Sequence, residues 1–420
     1  MTTAADLLAE TFGTLPDLIR AHAAQRGDKV AVAEAGQTLS YARLDRMMDA
    51  VAAALQREGV PQRTAVAIVA PFNIIYSSGT TGTPKGIVQS HAMRWAHIAG
   101  NAAAGFGDAV TMIATPLYSN TTLVTFLPTL GWGGTVVLTG KKFDARKYLE
   151  LAQLHRGTHT MLVPVQYQRL MAVPDFDSFD LASFRLKTCT SAPFSAALKA
   201  DVVARWPGLL VEYYGMTEGG ASCGLNCTAH PDKLHTVGPP LPGHTIKLID
   251  DDGHEVAPGE MGEVVGRSGT MMNGYHGRAQ ASRDAEWFDA DGNRYIRHGD
   301  VARFDEDGFL ILLDRKKDLI ISGGFNVYPS DLEAVLAQHP AVADCSVIGV
   351  PSEQWGETPV GFYVPRTGVD ASVADILADT NAKLGKTQRL SALHATDELP
   401  RSAIGKVLKR ELRDRLAIPA

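Results

Sequence analysis

Apolar residues recur at Leu44, Met48, Val51 and Leu55, the spacing of one helix face, so the stretch from Ser40 to the breakers Gly59 and Pro61 reads as an amphipathic helix packed on a sheet. Ahead of it, Thr14 and Pro16 supply an N-cap and a first-turn proline for another helix. Residues 29–35 and 65–69 read as strands. From residue 111 to 191, apolar runs at 135–138 and 160–163 alternate with helical patterns at 145–154 and 165–172, which predicts a layered α/β core with substantial parallel sheet. Residues 87–99 read as a helix. After Gly238 the texture becomes short strands (245–249, 262–266, 309–313) with a turn at 250–253, a β-rich subdomain. The charged run 314–318 reads as a linker. Beyond it, Ser330 and Glu333 have the spacing of a capping box, with Leu332, Val335 and Leu336 as a buried stripe. Strands at 346–350 and 360–364 and helices at 373–384 and 406–416 complete a small α+β unit.

Composition narrows the class of protein. A chain of 420 residues, 45% hydrophobic and 20% charged, predicts a globular protein of two or three domains. Its net charge of −6 argues against a nucleic-acid partner, which calls for a basic face. The four cysteines are scattered, as in a reducing compartment, and Cys223 and Cys227 with His230 and His235 match no standard zinc spacing. No basic segment followed by an apolar run opens the chain, and the most membrane-like stretch, 121–138, is broken by Pro128 and three glycines. These features predict a cytoplasmic protein without a transmembrane segment.

Candidate chemistry begins at residues 76–86, where glycines, hydroxyls and Lys85 follow an apolar run. Such a loop can curl its N–H groups around phosphate, and it can equally be a flexible turn. It is not a Walker loop, because Pro84 precedes Lys85 and Gly86 follows it. Further on, residues 213–218 place Tyr214, a flexible Gly215, the Thr217 hydroxyl and the Glu218 carboxylate together, a set able to stack on a purine and face a phosphate-bound Mg²⁺. Asp300 can accept hydrogen bonds from two ribose hydroxyls, Arg315 can reach the same sugar, and Lys406 follows a small flexible loop near the C-terminus. Taken singly, Tyr214 also suits a core, Glu218 a surface, Asp300 a turn and Lys406 a solvated helix start.

In this order the segments closely resemble the adenylate-forming superfamily, which includes acyl-CoA and aryl-CoA ligases, adenylation domains of peptide synthetases and luciferases. Ser77, Ser78, Gly79, Thr80, Thr81, Gly82, Thr83 and Lys85 match its phosphate loop. Ser191, Ala192 and Pro193 match its adenine-side segment, with Ser191 where Gly is usual. Tyr214, Gly215, Thr217 and Glu218 match the adenine and magnesium segment, and Asp300 and Arg315 the ribose-binding pair, with His298 where Thr is typical. Lys317 falls on the hinge, Lys406 on the mobile catalytic lysine, Gly323 and Gly324 on a pantetheine tunnel, and Trp355 and Lys386 near the coenzyme.

The resemblance implies a domain of residues 1–313 built of layered α/β sheets plus a β-rich subdomain, a hinge at 314–317 and a small mobile α+β domain at 318–420. It implies an AMP-forming acid–thiol ligase, with ATP, Mg²⁺ held by Thr217 and Glu218, coenzyme A and a small carboxylic acid, and a homodimer as one assembly state. Segments 116–120 and 215–220 would line an acyl pocket for an aliphatic or arylpropenoic acid, with Tyr118 at its gate and no cationic clamp for a second carboxylate. A carrier-protein pantetheine in place of free coenzyme A is the alternative acceptor. A nucleotide- or acyl-binding protein without catalysis is the alternative class. That last reading arises at Pro71-Phe72, where two or more βα units of the superfamily are missing, a loss expected to uncover apolar surface.

Overall fold

The computed structural model describes residues 2–57, 72–76, 85–322, 325–402 and 405–417, and the side chains of all these except Lys317, Thr387 and Ala417. The expected strand at 65–69, the helix end at Gly59 and Pro61, and residues 77–83, 323 and 324 of the candidate site lie outside them. By compactness the chain forms one unit from Met1–Ile246 with Val265–His298, and a second from Lys247–Val264 with Gly299–Ala420.

The first unit opens with α1 (Ala4–Ala9) and α2 (Leu15–Arg26), the latter capped by Thr14, whose hydroxyl accepts the Asp17 N–H. Strands β1 (Val30–Glu34) and β2 (Gln37–Ser40) precede α3 (Tyr41–Arg57). Next come β3 (Asn73–Tyr76), β4 (Gly86–Gln89) and α4 (His91–Ala99). Strands β5 (Val110–Ile113), β6 (Thr135–Leu138), β7 (His159–Leu162), β8 (Leu186–Cys189) and β9 (Leu209–Met216) then alternate with α5 (Asn120–Trp132), α6 (Ala145–Leu154), α7 (Pro164–Met171) and α8 (Ala196–Arg205). Strand β10 (Gly219–Asn226) folds back on β9. Among the described residues, eight strands form one sheet in the order β10-β9-β8-β7-β5-β6-β1-β2, parallel from β9 to β1 and antiparallel at both edges. The predicted α/β class and parallel core are borne out.

The expected helix at 87–99 is corrected. Residues 86–89 form β4, which pairs antiparallel with β3, and the helix starts only at His91, capped by Ser90. Four residues of mixed polarity cannot declare their period, and the cross-strand partner at 73–76 decides for strand. A second difference concerns α3. Leu44 and Met48 pack on a cluster containing Ile19, Tyr41, Ile113 and Val136, but Val51 and Leu55 are exposed, as is Met47. An exposed apolar stripe on the helix before the Pro71-Phe72 join accords with the surface that a missing segment was expected to uncover.

Charge is buried beneath β8 and β9. The Lys187 ammonium donates to the carbonyls of Trp206, Pro207 and Gly208 at 2.9, 2.6 and 2.6 Å. Lys199 of α8 pairs with Glu212 of β9, and burial outweighs that ammonium to push the Glu212 pKa up to about 7. Between the ordinary carboxylate pKa and about 7, the unfolded chain ionises Glu212 while the native state holds its proton, so this group's contribution to stability falls as pH rises through that window. Urea unfolding from pH 4.5 to 7.5 should therefore show wild type losing up to ~3 kcal/mol relative to Glu212→Gln. A constant difference between the two proteins across that range would contradict it.

The first unit also contains β13 (Gly274–Tyr275), which extends the β3–β4 pair, and β14 (Glu286–Phe288), which pairs with residues 294–296. Strands β11 (Thr245–Ile249), β12 (Gly262–Arg267) and β15 (Arg294–Phe304) each run from one unit into the other, with α9 at Ala279–Asp284.

In the second unit, β15 continues against β16 (Leu310–Arg315), and residues 316–318 form a single 3₁₀ turn. A four-stranded antiparallel sheet then pairs β17 (Ile320–Ser322) with β18 (Phe325–Val327) and with β20 (Gly356–Pro365), which also pairs β19 (Val342–Ser352). Strand β21 (Ala392–Ala395) adds parallel to β20, and α10 (Pro329–Leu336), α11 (Val373–Lys383) and α12 (Lys409–Ala417) complete the unit. The expected capping box is corrected here too. Tyr328 is the N-cap residue, Ser330 donates to Leu313 O, and Glu333 accepts from Val347 N–H at 2.8 Å and pairs with Lys409 at 3.0 Å. Partners distant in sequence outbid the local cap. No helix among the described residues is long and apolar enough to cross a membrane.

Candidate active site

The β3–β4 pairing sets Tyr76 opposite Gly86. The candidate phosphate segment thus leads into a strand, β4, and not into a helix N-terminus. Gly86 is required where it stands, since a Cβ would lie 2.9 Å from Ile74 Cγ2 and 3.2 Å from the Tyr76 ring. At the loop's end the Lys85 ammonium sits 4.8 Å from the ring centroid of Tyr275 on the neighbouring β13. The Tyr275 hydroxyl donates to Glu218 Oε1 at 2.9 Å, and burial together with the Glu218 charge holds that phenol's pKa above its ordinary value. Two residues far apart in sequence, Lys85 and Glu218, therefore meet through a tyrosine that no motif had singled out.

The remaining first-unit candidates gather at the carboxyl ends of the parallel strands, where α/β sheets bind their ligands. Ser191, Ala192 and Pro193 follow β8. Ser191 has φ +83°, the left-handed region that favours glycine, and its hydroxyl lies 2.6 Å from Thr121 Oγ1. That φ gives a physical reason for the glycine usual at this position. Tyr214 lies half-buried near the end of β9, its hydroxyl 3.0 Å from His298 Nδ1. His298 Nε2 accepts the Ala221 N–H at 3.4 Å, and a Cβ on Gly220 or Gly266 would lie 2.6 Å from that nitrogen. The histidine that departs from the superfamily's threonine is thus slotted between two glycines and braces Tyr214. Thr217 and Glu218 are half-buried, and Gln89 Nε2 donates to Thr217 O at 2.7 Å. After β5, Pro116 O accepts the Ser119 N–H at 2.9 Å, and Tyr118 is 70% exposed.

In the second unit, Asp300 and Arg315 are cross-strand partners, with Arg315 Nε donating to Asp300 Oδ1 at 2.8 Å. Lys317 lies in the 3₁₀ turn, and its neighbour Lys316 is held by Asp251 and Glu263 at 2.8 and 3.0 Å. Trp355 and Lys386 are exposed. The turn before Lys406 is braced: Gly405 N–H donates to Ser402 O, Ser402 N–H to Lys406 O, and Arg401 to both Gly405 O and Asp344.

A parallel sheet with an aromatic and an acidic oxygen donor at its carboxyl edge, joined through Gln89 and Tyr275 to the strands that flank the Gly/Ser/Thr segment, has the makings of a nucleotide-using enzyme. The chain belongs to the AMP-binding enzyme family: the family's main profile matches residues 19–73 and 70–276, and the profile of its C-terminal domain matches 331–406. The main match comes in two pieces that meet at the Pro71-Phe72 join. A feruloyl-CoA synthase of Amycolatopsis sp is 36% identical over 350 residues, covering 81% of this chain and 69% of its own. An indoleacetate–CoA ligase of Aromatoleum aromaticum is 34% identical over 387 residues, covering 87% and 71%. The solved structure of the amide bond synthetase McbA from Marinactinospora thermotolerans superposes with a TM-score of 0.82 at 25% identity over 96% of this chain and 99% of that one.

Proposed function

We propose that the protein is an ATP-dependent carboxylate–CoA ligase acting on an aromatic or aliphatic monocarboxylic acid. The observation that carries this reading is the Lys85–Tyr275–Glu218 contact, which joins the base of the Gly/Ser/Thr loop to the Tyr214–Glu218 segment. In the first half-reaction a substrate carboxylate oxygen bonds to the α-phosphorus of ATP while the bond to pyrophosphate breaks, giving an acyl-adenylate. In the second, a thiol that has lost its proton bonds to the acyl carbon and AMP leaves. Tyr214 would carry the adenine face, Asp300 and Arg315 the ribose, and residues 77–85 the outer phosphates. Glu218 and Thr217 offer the hard oxygen donors that Mg²⁺ prefers, with Glu218 already oriented by Tyr275; the ion would supply charge neutralisation of the departing pyrophosphate. Lys406 would place positive charge where two anions approach. A hinge at 314–317 and movement of 318–420 would exchange Lys406 for the coenzyme face near Trp355 and Lys386.

Two of the similar proteins, by their names, act on arylpropenoic and arylacetic acids, which supports starting an acid panel with these classes. The test is carboxylate-dependent exchange of labelled pyrophosphate into ATP, followed by mass spectrometry of the product with free CoA. Exchange plus a thioester is the expected outcome. Exchange without a CoA product would move the acceptor to carrier-protein pantetheine or, as in McbA, an amine. Silence across the panel would leave a nucleotide-binding protein without catalysis.

A further inference from the structure

Arg94 of α4 is 1% exposed, and among the described residues none of its hydrogen-bond partners is a carboxylate. Its Nη2 donates to Gln89 Oε1 and, at 2.8 Å, to Asn120 Oδ1; its Nε donates to Asn73 Oδ1 at 3.1 Å. The Nη1 group is buried and finds no partner among the described residues. Burial draws the guanidinium pKa down to about 10, which leaves it charged at neutral pH. Burying a cation among neutral amides costs stability, and a hydrophobic residue would fill the same volume more cheaply. The structure therefore asks what the charge accomplishes there.

The connections of the network supply an answer. A guanidinium is donor-only, and Asn73 Nδ2 also donates to Gln89 Oε1, at 3.1 Å. Facing two donors, the Gln89 side chain can adopt one amide orientation only, with Nε2 aimed at Thr217 O. The same Nη2 holds Asn120, the first residue of α5, just after the 116–119 segment. We propose that Arg94 is a positioning residue for the nucleotide site: by locking the Gln89 amide it fixes the Thr217 backbone, and with it the Thr217 and Glu218 side chains, against the paired strands β3 and β4 that flank the Gly/Ser/Thr segment. This rests on the reading of Thr217 and Glu218 as the phosphate and metal face.

Three variants of the full chain test the proposal, with ATP·Mg²⁺ affinity by calorimetry and KM for ATP in pyrophosphate exchange as readouts. Arg94→Met frees the amide to flip and should weaken ATP binding about tenfold, the worth of one polar contact. Arg94→Lys keeps a donor-only cation opposite Gln89 Oε1 and should recover affinity to within about threefold of wild type. Gln89→Glu can pair with Arg94, which preserves the fold, but offers Thr217 O no donor; it too should weaken ATP binding about tenfold at an unchanged melting temperature. A purely structural role would lower stability and the active fraction while leaving the affinity and KM of the folded protein at the wild-type value. Wild-type affinity in a folded Gln89→Glu or Arg94→Met variant overturns the proposal. Should Arg94→Met fail to fold, the lysine and glutamate variants decide by the same criterion. Wild-type protein that binds no ATP removes the nucleotide reading of this site, and the role of Arg94 with it.

Discussion

Lys406→Ala should lower carboxylate-dependent pyrophosphate exchange by about a hundred- to a thousandfold, while thioester formation from supplied acyl-adenylate and CoA stays within about threefold of wild type. The asymmetry follows from the charges. In the adenylation step a carboxylate must approach a polyphosphate, and a single fixed ammonium at the α-phosphate stabilises charge that develops only as they meet. In the thiol step the acyl-adenylate has already lost pyrophosphate, and the attack occurs at a carbonyl. The turn that presents Lys406 is well braced, with Gly405 at φ +77° and Arg401 bonded to Gly405 O at 2.6 Å. Truncation at Cβ should therefore remove the charge without unfolding the turn. Lys317→Pro tests the complementary claim, since fixing φ in the 3₁₀ turn at 316–318 should slow CoA transfer and spare exchange. Equal loss of both half-reactions in Lys406→Ala would reject the assignment of that lysine, and CoA transfer unaffected by Lys317→Pro would reject the hinge.

Much of the architecture was legible because it is written in period. The alternating βα pattern from residue 111 to 191 appears residue for residue in β6 and α6, and the short strand expected at 245–249 appears as β11. Where the local signal was short, tertiary partners decided. Residues 86–89 became a strand because 73–76 pair with them, and Ser330 turned away from its own helix toward Leu313. Buried charges gave no local signal for a related reason. Lys187 sits in a four-residue strand with its ammonium capped by three carbonyls from 206–208, an arrangement that only the loop after α8 can supply. Arg94 in the same way finds its acceptors on β3, β4 and α5.

The site was partly legible as well. Its motif residues on β9 stand out by composition, whereas Tyr275, Gln89 and the bracing contacts of His298 do not. These three act through contacts to other segments, and a two-residue strand such as β13 has no pattern of its own to notice. The departures that were visible, Ser191 and His298, turn out to have physical content: one occupies a left-handed φ, the other fills a slot between glycines.

Gly219→Ala should be the most damaging single-methyl change at the site, costing about 2–5 kcal/mol of stability and abolishing exchange in whatever protein still folds. Gly219 follows Glu218 directly and has φ +89°, where a side chain is strained whatever the space. Here there is no space: the added Cβ would collide with Thr270 O and come within 2.8 Å of Met271 Cα. That crowding has a cause, because Met272 N–H donates to Glu218 O at 2.7 Å and draws residues 270–272 against the turn. Three residues on, Tyr275 reaches back to the Glu218 carboxylate, so a displaced backbone would separate the acid from the phenol that orients it. Gly243→Ala is the control, with a similar φ of +77° and nothing within 4 Å of its Cβ. Backbone strain alone should cost that variant about 1 kcal/mol and leave exchange intact. Urea unfolding and exchange on the two proteins separate strain from collision. If both lose the same stability, or if folded Gly219→Ala retains wild-type exchange, the close approach of 218–219 to 270–272 does not hold the acid in place.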